Sequence, residues 1–267
     1  MTLDPIHQFN INNIFTIGHI GRYTIAFTNS SVYMLLTVAV ICLLAVLGMK
    51  GRQLVPGRFQ SAAELSYVFV ATMIRSTAGE DGMKFFALVY CIFMFILVSN
   101  MIGMIPYAFT VSSHIIVTVA FALLVFFTVL IYGFYKNGLK FFRIFVPQGV
   151  PGYILPLVVL IEVISFLSRP LSHSVRLFAN MLAGHITLKV FAGFVALLGT
   201  SLGTIGWIGG IAPLALTVAL TALELLVAFL QAYVFTLLAA IYIGAAVEEH
   251  NHNHDGIHAN VEEAAIV

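Results

Sequence analysis

Two nearly uninterrupted apolar runs, Pro151 to Thr200 and Ile205 to Val247, constrain this chain more than any other feature. They are 50 and 43 residues long. As helices they would reach about 75 Å and 65 Å, against a hydrocarbon core of ~30 Å. Neither can stand upright as a single span, so each either breaks into two crossings or lies strongly tilted. No charged reverse turn interrupts them, and long tilted helices are therefore expected, with a bend at Pro170 in the first. Gly199, Gly203, Gly206, Gly209, Gly210 and Pro213 mark the turn between them.

Three shorter runs fit ordinary spans of about 20 residues: Ser31 to Met49, Phe85 to Ile105 and His114 to Tyr135. Between the first two, Pro56 to Thr77 carries Ser61, Glu64, Thr72 and Arg75 on roughly one helical face, as suits a helix lying in the interface. Composition agrees with a membrane protein. Of the 267 residues 61% are hydrophobic and only 9% charged, where a soluble domain carries roughly 25% charged residues. The expected fold is an all-α polytopic membrane protein with about five membrane-crossing helices and one interfacial amphipathic helix. Its last two helices are long and strongly tilted.

The parts of this single membrane domain are an outer N-terminal segment (1–30), a first span (31–49), an interfacial helix (56–78) and a membrane hairpin (85–135). The two long helices (151–247) and a polar tail (248–267) complete it. A net charge of +1 argues against nucleic acid as a partner. Cys42 and Cys91 lie inside apolar runs and read as small buried hydrophobes. No basic region followed by an apolar core precedes Asn29, so neither a cleaved signal nor an Arg-rich transit peptide is expected. Lys50, Arg52 and Arg58 follow the first span, and Lys136, Lys140 and Arg143 the third. The loop from Pro106 to Ser113 and the turn near Gly203 have no Lys or Arg. The positive-inside rule then puts the N-terminus outside and the C-terminus inside.

Arg176 is the costliest residue of the long runs. A guanidinium keeps its charge at any workable pH, and an arginine near the middle of a membrane helix costs at least ~2.5–3.5 kcal/mol. On an ideal helix Glu162, Arg169, His173, Arg176 and Asn180 point within about 40° of one direction. Ala183 and Gly184, near that face, would let a neighbouring helix approach. His185 points roughly opposite to Arg176. On the last helix Thr217, Glu224, Gln231 and Tyr242 share a second stripe, with Glu249 near its inner end.

Plainer readings stand beside these. Glu162 also suits an interfacial carboxylate, Arg169 a structural ion pair, and His173 a hydrogen-bonded packing residue. Lys189 suits a snorkelling cation, and Asn180 and Gln231 an interhelical hydrogen bond. Arg176 and Glu224, both well inside apolar runs, could simply pair with each other. The tail from Glu248 to Asp255 has His and acidic residues without a fixed ligand spacing, and reads as solvated; no metal or cofactor is expected.

The stretch Ser168-Arg169-Pro170-Leu171-Ser172-His173-Ser174-Val175-Arg176-Leu177-Phe178-Ala179-Asn180-Met181-Leu182-Ala183-Gly184-His185 resembles the signature helix of subunit a of the F-type ATP synthase. That subunit is the membrane stator beside the rotating c-ring. Asn100 through Tyr107, Phe109-Thr110 with Ser113-His114, Leu223-Glu224 through Val234, and Phe27 through Ser31 are similar to the same family. The resemblance spans roughly residues 5 to 250.

It implies a non-catalytic proton-channel subunit, with a c-ring, peripheral-stalk subunits and the lipid bilayer as partners. The location implied is a bacterial or mitochondrial inner membrane. It also implies that Arg176 faces the ring carboxylates with Asn180 and Gln231 nearby, and that His185 and Glu224 line the outer half-channel. Glu162 would line the inner one. In some family members an acidic residue falls where Ala245 stands here, which leaves Glu248 and Glu249 as the candidate inner mouth. A self-contained secondary transporter with a midplane charged site is the competing reading, and would call for inverted repeats, which are not evident.

Overall fold

The computed structural model describes residues 11–20, 23–50, 56–105, 108–138, 145–146 and 153–248. Arg52, Lys140, Arg143, Glu249 and the tail beyond it lie outside the described residues, as do residues 1–10 of the N-terminal segment. In chain order the elements are strands β1 (Asn13–Ile20) and β2 (Tyr23–Thr28) and helices α1 (Asn29–Met49), α2 (Arg58–Gly82) and α3 (Phe86–Gly103). Helices α4 (Ile115–Asn137), α5 (Leu155–Gly209) and α6 (Ile211–Glu248) follow. Short 3-10 turns precede α3 and α4.

The apolar runs become helices as expected. Five stretches are long and apolar enough to cross a membrane: Asn29–Met49, Arg58–Gly103, Ile115–Lys136, Leu155–Ser201 and Ile211–Ala245. The first run is helical from Leu155 and the second on either side of Gly210, and α5 keeps helical dihedrals through Pro170. Its one non-helical residue is Gly203, with φ 55°. That break is one of the positions expected to mark the turn. Gly210, between α5 and α6, carries ordinary helical bonds, its N–H to the Gly206 carbonyl at 2.9 Å and its carbonyl from the Leu214 N–H at 3.0 Å. Pro213 falls in the first turn of α6, where a missing N–H costs nothing.

The N-terminal segment holds an element that the sequence reading did not anticipate. β1 and β2 form an antiparallel hairpin, paired from Asn13 opposite Thr28 to Ile20 opposite Tyr23 with two register shifts between. The hairpin is joined to α1 by its polar ends. Asn29 donates its N–H to the Asn12 carbonyl, and its side-chain oxygen accepts from the Asn12 N–H, both at 3.2 Å. Thr28, in extended conformation, caps α1 by accepting the Ser31 N–H at 3.4 Å.

The described residues fall into two compact units. One takes in the hairpin and α1, the chain from Phe93 to Thr118, and Val175–Tyr233 of α5 and α6. Phe93, Ile96, Leu177, Met181 and Ala228 are among its buried residues. The other takes in Glu64–Ile92, Val119–Ser174 and the chain from Val234. Val70, Ile74, Val89, Phe235 and Ala239 are among its buried residues, and Phe166 packs on Phe145 and Phe126 at 5.4 and 5.1 Å.

Outward faces are apolar and several inward positions are polar. Leu65, Ile116 and Ile208 are 72%, 74% and 67% exposed, while Asn100, Thr110 and Thr118 are fully buried. Water would oppose that arrangement and hydrocarbon favours it. On α2 the residues Ser61, Glu64, Thr72 and Arg75 are all exposed, together with Phe59, Leu65 and Val68, while Val70, Ala71, Met73 and Ile74 are buried.

α2 consists of two helical pieces joined at Gly79, whose φ of 66° and ψ of −169° fall in a region essentially reserved for glycine. Gly79→Ala should therefore lower stability by about 1–3 kcal/mol. A thermal-unfolding midpoint in detergent that matches the parent protein would contradict this assignment of the joint.

Candidate functional site

Every polar side chain in a membrane helix needs a partner, and the threonines find theirs locally. The hydroxyls of Thr37, Thr128, Thr187, Thr200, Thr217 and Thr221 each donate to the carbonyl four residues back, at 2.7 to 2.9 Å. Thr217, although on the stripe with Glu224, is thus satisfied by its own helix. The polar residues that reach beyond their own helix, or find no partner in it, remain as the candidate site.

In the first unit α5 and α6 run antiparallel and bring two pairs together. His185 stands over Glu224, Nδ1 to Oε1 3.3 Å, both side chains buried. Neither carboxylate oxygen of Glu224 receives a hydrogen bond from a described residue. Gly184 creates the space: a Cβ there would lie 2.7 Å from Glu224 Oε1. Asn180 donates to Gln231 Oε1 at 3.0 Å. The chain between α3 and α4 closes over these helices. Thr110 Oγ1 lies 3.0 Å from His185 Nε2, Ser112 donates to Asn100 Oδ1 at 2.6 Å, and Asn100 donates to the Ala228 carbonyl at 3.3 Å.

His114, just before α4, stacks on Phe109 with centroids 4.8 Å apart, and its Nε2 is buried without a hydrogen-bond partner among the described residues. Burial pushes its pKa below the ordinary histidine value.

Arg176, also in this unit, is exposed. It forms no hydrogen bond, ion pair or ring contact with any described residue. It sits on an outward face of α5 with Val175, Ala179, Ala183, Val190 and Phe194, all exposed. The reading in which Arg176 and Glu224 neutralise each other is therefore corrected, because Glu224 is turned inward to His185. Asn180 and Gln231 do form the interhelical hydrogen bond that their plainer reading proposed.

The second unit holds the other members of the α5 stripe. Glu162 and Arg169 pair at 3.4 Å, about one-third exposed. The Arg169 guanidinium also lies over the Tyr242 ring at 5.0 Å and the Phe166 ring at 5.7 Å. His173 is buried, its Nε2 3.4 Å from the Tyr242 hydroxyl and its ring edge-on to Phe235 at 5.3 Å. That placement suits the packing role. Glu248 is the last residue of α6.

The family model of the ATP synthase A chain matches residues 31–244. ATP synthase subunit a of Bradyrhizobium diazoefficiens is 72% identical over 247 residues, covering 92% of this chain and 98% of the relative. The proteins of the same name from Rhodopseudomonas palustris strain TIE-1 and Nitrobacter winogradskyi are each 71% identical, with the same coverage. The chain belongs to the ATP synthase A chain family.

Within this family member, sequence reasoning singled out Arg176, His185, Glu224, Asn180 and Gln231, and the fold brings the last four together in pairs. It assigned no role to Asn100, Thr110 or Ser112, although Asn100 and Thr110 sit in segments that carry the family resemblance. Asn100 is a lone amide near the end of α3, and Thr110 and Ser112 lie in a connection between spans, where a polar residue is ordinary. Tyr242 was placed on the α6 stripe, but its contacts with Arg169 and His173 depend on how the helices cross. Gly184→Ala should displace the Glu224 carboxyl. Proton flux in the assembled complex should fall more than for Gly209→Ala, where a Cβ meets nothing within 4 Å. Equal fluxes in the two variants would contradict the role given to the space at Gly184.

Proposed function

We propose that this chain is the proton-translocating stator subunit of the membrane sector of a rotary ATP synthase. Two offset half-channels carry protons to and from the carboxylates of a c-ring, and Arg176 separates them. Family membership makes the chain a multi-pass inner-membrane subunit of that sector. The observation that carries the finer reading is Arg176, a permanent charge on an exposed apolar helix face without an internal partner. Hydrocarbon alone cannot accommodate it cheaply, so an acidic group on another chain is the natural counterpart.

The buried His185–Glu224 pair supports the inlet. Both groups can gain and lose a proton, and both are held out of lipid. Glu162, partly exposed beside Arg169, serves the outlet, with Glu248 and Glu249 towards its mouth. In this reading the N-terminus faces outside and the C-terminus inside. Lys50, Arg58 and Lys136 stand at helix ends, and their positive charge is what supports assigning those ends to the inner side. Arg176 never relays a proton. It favours the ionised form of a ring carboxylate arriving in front of it, which drives release into the outlet. Its charge also repels a proton crossing directly from inlet to outlet. Each proton crossing ~100 mV releases about 2.3 kcal/mol, all of it lost if a leak bypasses the ring.

Arg176→Ala should abolish proton-driven ATP synthesis in reconstituted vesicles, and Arg176→Lys should restore little, because lysine lacks the planar five-donor fork. Near-normal synthesis by the alanine variant would rule the proposal out. Glu224→Gln should slow uptake from the outer side more than release. Proton flux measured in both directions against outer pH checks this, and an unchanged profile would remove Glu224 from the inlet.

A further inference from the structure

Thr110 is fully buried in the connection between α3 and α4, and its hydroxyl has two neighbours. His185 Nε2 lies 3.0 Å from Oγ1, and Oγ1 donates to the Gly103 carbonyl oxygen at 3.5 Å. Gly103 is the last residue of α3, and its carbonyl is one of the four at a helix C-terminus that have no partner within the helix itself. It is also shaped for this contact. A Cβ at Gly103 would lie 2.7 Å from Thr110 Cγ2 and 2.9 Å from Oγ1.

A hydroxyl has one proton and two acceptor lone pairs, and a carbonyl oxygen can only accept. With the Thr110 proton directed to Gly103, the Thr110 oxygen accepts from His185 Nε2–H. Neutral His185 then carries its proton on Nε2 and presents a bare Nδ1 to Glu224, 3.3 Å away.

We propose that Thr110 is a positioning residue that fixes the tautomer of His185, so that Nδ1 can take a proton from Glu224. This rests on the inlet reading of the His185–Glu224 pair. The carboxyl of Glu224 rotates about its soft terminal torsion until its O–H faces Nδ1. The O–H bond breaks as the Nδ1–H bond forms, leaving a carboxylate beside an imidazolium that holds both ring protons. The reverse transfer restores the neutral pair, so one proton moves and no other reactant is consumed. In the opposite tautomer Nδ1–H would face Glu224 and the ring could accept nothing from it. Exchange would then wait on a ring flip in a packed interior. Thr110 touches neither the moving proton nor Glu224; it acts only through the imidazole.

The test uses the complete ATP synthase in vesicles, with Thr110→Val to remove the hydroxyl at nearly constant shape and Thr110→Ser to retain it. Thr110→Val should cut proton-driven ATP synthesis by about tenfold, the scale of one lost hydrogen bond, and Thr110→Ser should restore it. In a His185→Ala background Thr110→Val should cost nothing further. Nitrogen NMR of the histidine-labelled complex should show His185, assigned as the signal missing from His185→Ala, protonated at Nε2 and bare at Nδ1. Thr110→Val should yield a mixture. A parent His185 protonated at Nδ1, parental flux in Thr110→Val, or multiplying losses in the double variant would each overturn the proposal. If His185→Ala and Glu224→Gln leave flux unchanged while the tautomer still follows Thr110, the inlet reading fails and the tautomer assignment stands.

Discussion

A charge that cannot be neutralised stands outside, and a pair that can be neutralised is held inside. Arg176 keeps its proton in any surroundings, so its cost in hydrocarbon can be met only by an opposing charge or by water. Glu224 and His185 can each become neutral, and their burial is tolerable for that reason. α5 places the two kinds of group on opposite faces. His185 follows Arg176 by nine residues, about half a turn beyond two full turns, so one helix presents Arg176 outward and His185 inward.

The close packing beneath this arrangement comes from small side chains. Ala228 and Ala232 on α6 are fully buried in the first unit, and Gly184 on α5 leaves room for the Glu224 carboxyl. In a bilayer, apolar helices gain little by meeting each other rather than lipid, and close approach of small residues with interhelical hydrogen bonds becomes the main source of association. The Asn180–Gln231 bond and the Asn100–Ala228 bond are of that kind. The threonines contribute less to association, because most of them bond within their own helix.

Much of this was legible in the amino-acid sequence, for physical reasons. Long helices were the favoured reading of the long runs because no charged reverse turn interrupts them. The angular arithmetic that set His185 opposite Arg176 needed only a helix of 3.6 residues per turn. The hairpin at Asn13–Thr28 was not legible, since its alternation is interrupted by register shifts at two points. Thr110 was hidden for another reason: it lies in a connection, where no periodicity says which way a side chain points. Its contact with His185 joins residues 75 apart in the chain and exists only once α3, α4 and α5 are packed. Glu224 was recognisable from its run as an expensive residue, but only the family resemblance set it beside His185, because pairing depends on the register of α5 against α6.

The most direct measurement is the environment of Arg176 in the assembled membrane sector, with the ring carboxylates in place. The guanidinium should lie within about 4–6 Å of a ring carboxylate, the range over which a fixed charge shifts an acid, and should remain protonated throughout. An Arg176 that faces lipid, or that turns inward to pair with Glu224 when the ring is present, would contradict the central claim.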